Sequence, residues 1–222
     1  MGVGLVALAV ALPLAACGSA GERPVGAAAA RTAPAPAPAT GDTARAKRAL
    51  IRLSDLGRGW HAQAGKVRRL HCTDVEPFAG ATALVRSPRL IRGRLGTQER
   101  IAIFRSTGAA RHALRRLDTP AASRCLRREV RRHASEEAGG PAGPARLVRS
   151  DRLGPASQAA RYVSTTVGVY GRVATVIDAV HVRVGRAIAA ILVVSGGPAP
   201  LEASGYEQLR ALATRRLQVA LG

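Results

Sequence analysis

The sequence predicts an α+β domain, an antiparallel sheet with helices packed mainly on one face, preceded by a signal peptide and a disordered linker. Three observations carry that prediction. Segments of period-two and helical apolar spacing follow in the order β-β-α-α, then three or four strands, then α, which belongs to antiparallel sheets rather than to alternating βαβ units. The runs ATVIDAVHVRV (174–184) and AIAAILVVS (187–195) are separated by only Gly185-Arg186, a two-residue hairpin loop of type II′ with glycine first. The chain before residue 42 has neither kind of spacing, which leaves 42–222 as a single domain of 181 residues, enough for a sizeable core.

The first segment, Val3 to Leu14, reads VGLVALAVALPL and is uncharged. Its 12 residues would span only ~18 Å as a helix, short of the about 20 residues that cross a bilayer, and they fit the h-region of a signal peptide. Leu14-Ala15-Ala16-Cys17 resembles the lipobox of bacterial lipoproteins. That resemblance implies a signal peptide over 1–16, cleavage before Cys17 and diacylation of its thiol. Two acyl chains hold a protein stably at a membrane where one does not. The other reading is an ordinary cleaved signal with a cysteine present by chance. Met1 to Leu5 has no Lys or Arg, so the natural start is expected upstream of Met1. Residues 17–41 then form a linker whose APAPAPA core favours extended polyproline II, a spacer rather than a binding element.

The domain opens with a helix in which Ala46, Ala49, Leu50 and Leu53 share a stripe, with Asp42 or Thr43 as cap and Gly57 and Gly59 as the stop. Strand-like runs at 83–93 and 97–106 come next. Ser106 or Thr107 caps a helix with Ala110, Ala113, Leu114 and Leu117 on one face, broken at Asp118-Thr119-Pro120. A second helix, 120–135, places Ala122, Cys125, Leu126 and Val130 inward and Arg127, Arg128, Arg131 and Arg132 outward, before a flexible loop over 136–144. Strands at 160–167, 174–184 and 187–195 and a helix at 201–221 complete the order. The hairpin register pairs Val184 with Ala187, Val182 with Ala189, Val180 with Ile191 and Asp178 with Val193 on a core face. Its other face pairs Arg183 with Ile188 and His181 with Ala190.

With Cys17 acylated, Cys72 and Cys125 remain, an even pair in a compartment outside the cytoplasm where disulfides persist. A Cys72–Cys125 bridge is expected, and closing a loop of 53 positions contributes about 4 kcal/mol in the chain-entropy model. No metal site is expected, because His71-Cys72 is the only neighbouring His–Cys pair.

Three features resemble the exported sensor-type lipoproteins of actinobacteria, related to the extracellular domain of the serine/threonine kinase PknH. They are the phrase Leu53-Ser54-Asp55-Leu56-Gly57-Arg58-Gly59-Trp60, the block from Ile103-Phe104 through Pro120 to Cys125, and the hairpin Val184-Gly185-Arg186. None of these motifs is catalytic, and the resemblance implies an α+β domain with disulfide support and a ligand-sensing cleft. This chain has only two domain cysteines and no kinase. A PsbP/Mog1-like lipoprotein shares the layout.

The formal net charge is +20, all of it beyond residue 16. Such a charge points to a polyanion or to an arginine-rich composition that merely solvates the surface. Export and 3% aromatic residues speak against nucleic acid, which leaves anionic lipid or a cell-wall polymer as the charged partner. No HExxH, GxSxG or P-loop spacing occurs, and no cofactor is expected. His181 with Arg183 is the best candidate ligand-binding pair, against the reading that both merely border a sheet face. Trp60 reads first as a core plug and second as a stacking platform. Asp178, on the apolar face, is either a strand-edge residue or a buried acid paired to an arginine. The expected function is therefore a non-enzymatic ligand- or partner-binding lipoprotein on the extracytoplasmic face of the cell membrane. The alternatives are a basic domain docking on anionic lipids or wall polymers, and an envelope hydrolase with an unfamiliar site.

Overall fold

The computed structural model describes residues 40–63, 78–153, 156–168, 171–196 and 203–222. The expected signal peptide, Cys17, the expected linker up to residue 39 and Cys72 lie outside these residues. The elements run α1 (Thr40–Ala49), a 3-10 turn (Leu53–Asp55), β1 (His61–Gln63), β2 (Ala81–Arg86), β3 (Arg89–Arg92), β4 (Leu95–Phe104), α2 (Thr107–Leu117), α3 (Pro120–Ala138), β5 (Arg146–Arg152), β6 (Ser157–Gly168), β7 (Gly171–Val184), β8 (Ala187–Gly196) and α4 (Ala203–Leu221). All strand pairs are antiparallel, in the order β1-β3-β4-β8-β7-β6-β5, with β2 also on β4.

The antiparallel α+β architecture is the one the sequence predicts. The helices are placed differently from the expectation of one main face: two lie on each side. Along β4, Ile101 and Ile103 join a core with Ala46 and Ala49 of α1 and Tyr206, Ala213 and Leu217 of α4. Ala102 and Phe104, alternating with them, join Ala110, Ala113 and Leu114 of α2. Farther along that second face, Val130 of α3 packs on Tyr162 and Ile177. The reason is visible in β8, whose AIAAILVV run is apolar on both sides and so needs a cover on each.

Local signals explain the boundaries. Ser106 Oγ accepts from Ala109 N at 3.1 Å and caps α2. Thr119 caps α3 with Pro120 at its start. Gly139, at φ 64°, ends α3 in the left-handed region, three residues beyond the expected limit and inside the stretch expected to be loop. The run 83–93 is two strands rather than one, because Ser87-Pro88 interrupts it: Ser87 Oγ accepts from Glu99 N at 2.9 Å, and proline has no N–H to give.

The hairpin register of β7 and β8 is as the sequence predicts, from Val184 opposite Ala187 to Ile177 opposite Val194, with Gly185 at φ 53°. Asp178 is 1% exposed and is the paired buried acid. Arg161 Nε donates to its Oδ1 at 2.7 Å, and Tyr206 Oη donates to Oδ1 at 2.5 Å. The Arg161 guanidinium also lies 5.4 Å from the centre of the Tyr206 ring, so α4 is latched to β6 and β7 by one acid. α1 is latched as well. Asp42 accepts from Arg186 at 2.6 and 2.8 Å and from Thr82 Oγ1 at 2.6 Å.

Candidate functional site

The sheet is thinly covered on the α2/α3 face, where α2 stops at Leu117 and α3 starts at Pro120. The two-residue joint Asp118-Thr119 passes over β5, β6 and β7 and leaves a cavity of about 260 Å³. Strand register fixes its floor. His181 of β7 lies between Gln158 of β6 and Ala190 of β8, and Ala160 lies one pair farther along, opposite Ala179 on one side and Ser150 of β5 on the other. Of the alanines around the imidazole, Ala160 is in the lining, where its small side chain leaves space. Leu117, Pro120 and Leu126 wall one side and Leu147 the other.

His181 is 6% exposed, and its ring makes no hydrogen bond within the described residues. Burial alone pushes its pKa down to about 4, so the imidazole is neutral at physiological pH, with one N–H donor and one bare nitrogen. Tyr162, also on the floor, has its phenol pushed up by burial against a hydrogen bond with Ser123. Thr119 is already committed: its Oγ1 accepts from Ala122 N at 3.2 Å and donates to Arg116 O at 2.9 Å.

Of the residues expected to bind ligand, the structure brings only His181 to the cavity. Arg183, two positions on and on the same face of β7, turns toward the hairpin, where Nη1 donates to Gly185 O at 3.2 Å. Trp60 is at the other end of the sheet, beside β1. It is partly buried rather than a core plug, with the Arg92 guanidinium 5.3 Å from its ring centre. Sequence reasoning missed Gln158, Ser150 and Tyr162. A hint lay in the smallness of Ala160, Ala179 and Ala190 around a lone histidine, but only the register shows that they are neighbours. Cys125 is 1% exposed on the inner stripe of α3. The outward arginines of α3 are not uniformly open, since Arg132 pairs with Glu129 at 2.5 Å and with Glu136 at 3.2 Å.

The sequence matches no family model and no curated protein. Among solved structures it is similar to the extracellular domain of PknH from Mycobacterium tuberculosis, with a TM-score of 0.48 and 10% identity over 82% of this chain and 98% of that one. At that distance the likeness assigns this chain no ligand and no residue role. No helix among the described residues is long and apolar enough to cross a membrane.

Proposed function

We propose that this chain is an extracytoplasmic lipoprotein, held at the membrane through acylated Cys17, whose domain binds a small ligand in the α3–β5–β6–β7 cavity without turning it over. The observation that carries the binding reading is His181, an almost wholly buried imidazole without a partner among the described residues, at the floor of a cavity. A neutral imidazole with a pKa of about 4 is a good hydrogen-bonding group and a poor general base, because proton transfer is best served by a pKa near the working pH. That argues for recognition over hydrolysis. The tether rests on the Leu14-Ala15-Ala16-Cys17 box and the extended spacer behind it. Mass spectrometry of native material tests it: a diacylglycerol-modified N-terminal Cys17 is expected, and an unacylated chain beginning upstream of Cys17 overturns it. The same spectra, taken with and without reduction, should show Cys72 joined to Cys125.

A second reading has its own observation. α2 and α3 expose Arg111, Arg115, Arg124 and Arg131 with no ion pair among the described residues. A tethered domain could rest these on anionic headgroups at about 1 kcal/mol each. Cosedimentation with vesicles containing 30% phosphatidylglycerol should then fall steeply as salt rises, and binding indifferent to salt removes this reading.

A further inference from the structure

We infer that the cavity takes an uncharged, hydroxyl-bearing ligand about the size of one sugar ring, seated on His181 and Gln158; this rests on the binding reading above.

Charge is the first argument. With 34 Lys and Arg against 14 Asp and Glu, this chain has abundant means to build an anion site. Yet no Lys or Arg is among the described residues that line the cavity, and the one charged group there is the acid Asp118. The start of α3, which could attract an anion through its free N–H groups, is already capped by Thr119. An anion entering would meet a carboxylate and a neutral imidazole. It would give up its hydration with no cation in the lining to receive it, since Arg127, whose charge acts on Tyr162, stands outside that lining, and this is unfavourable.

Hydrogen-bond capacity is the second. His181 offers one donor and one acceptor, and Gln158, its direct cross-strand neighbour, offers an amide with both. Ser150 can likewise give or take a hydrogen bond, while Ser123 is already shared with Tyr162. A hydroxyl is the ligand group that matches such partners, because rotation about its C–O bond lets it donate to one and accept from another. Two or more hydroxyls on adjacent carbons would satisfy the imidazole and the amide together. The walls supply the third argument. Leu117, Leu126 and Leu147 present apolar surface suited to the C–H face of a ring. The cavity volume of about 260 Å³ falls just under the ~300 Å³ at which drug-sized pockets begin, which is room for a single ring.

The test uses the full chain in detergent micelles with ¹⁵N-labelled histidine, the His181 ring signals being assigned through His181→Gln. Four ring-sized probes are titrated: myo-inositol as the neutral polyol, D-glucuronate as the anion, D-glucosamine as the cation and benzene as the apolar control. Myo-inositol is expected to shift the His181 ring nitrogens saturably, with the other three at least tenfold weaker. Gln158→Leu, a partly buried site less exposed to folding failure than His181→Leu, should weaken the myo-inositol response at least tenfold with the thermal midpoint unchanged. A tighter, saturable response to glucuronate, glucosamine or benzene overturns the ligand class and leaves the cavity as a binding site. No saturable response to any of the four overturns both.

Discussion

At the scale of single residues, three buried titratable groups set how stability should respond to pH. Glu99 is 2% exposed on β4, and burial raises its pKa to about 7 against the N–H of Ile51, which donates to Oε2 at 2.6 Å. Its folded-state pKa lies above the unfolded value of about 4.3. The domain is therefore favoured below that value and loses stability as pH rises toward 7, with little further change above. Glu99→Gln should gain on the order of 2–3 kcal/mol at pH 8 and almost nothing at pH 4, read from urea melts at both pH values. His181 works in the opposite direction. Its folded-state pKa is depressed to about 4, so the unfolded chain takes up the proton first and stability falls as pH drops from 6.5 toward 4. His181→Gln should flatten that acid limb while leaving the melt at pH 7.5 within about 1 kcal/mol. Asp42, which the Arg186 guanidinium holds down at about 2, adds an acid limb of its own only below its unfolded value of 3.8.

At the scale of elements, the β7–β8 hairpin was fully legible in the sequence, and the reason is physical. Two apolar runs flank a two-residue loop with Gly185 first, so the position of the turn predicts every pairing from Val184–Ala187 outward. Gly185→Ala should cost about 1 kcal/mol in chemical denaturation, because a Cβ there meets nothing within 4 Å and only the φ of 53° opposes it. Both ends of α2 and the start of α3 were legible for the same reason, as Ser106, Thr119 and Pro120 act on their own neighbours, while the end of α3 was not. β5 was not: RLVRSDR alternates poorly and is rich in charge, as befits a strand with only one partner in the sheet. The break between β2 and β3 is hard to read locally, because the bond that Ser87 Oγ accepts from Glu99 N joins positions 12 apart in sequence. The α1 latch was likewise hidden, since Asp42 and Arg186 lie 144 positions apart. Asp42→Ala should destabilise by roughly 1–3 kcal/mol, a figure discounted from fully buried pairs because the Arg186 side chain is 32% exposed. A thermal shift that shrinks as pH falls from 3.8 toward 2, where the parent's acid takes up its proton, would identify the ion pair as the source.

At the scale of the whole molecule, both faces of one sheet are occupied, and composition could not reveal how the helices divide between them. The candidate site depends on that division. His181 faces α2 and α3, while Asp178, three residues away, faces α4. Reading one face from the sequence placed His181 and Arg183 together correctly on β7 but gave no view of the helix joint above them. If Cys72 and Cys125 are bridged, α3 is stapled to the segment before β2, and reduction should lower the thermal midpoint. With a contribution of about 4 kcal/mol, the drop in a domain of this length should be on the order of 10 °C.

Covering the sheet on both sides also removes the usual penalty for misalignment. A strand oily on both surfaces can slide one notch along its neighbour and still hide its side chains, as the AIAAILVV run of β8 makes plain. Asp178 ends that freedom, since a slip would carry its carboxylate through to the opposite side, away from Arg161 and Tyr206. The acid acts as a keyed notch that admits one alignment. Exchanging all three residues for apolar ones of similar bulk should therefore leave the melting point near its original value while doubling the backbone amide resonances of β7. A single set of resonances in that triple variant would show that the turn alone keeps the strands in step.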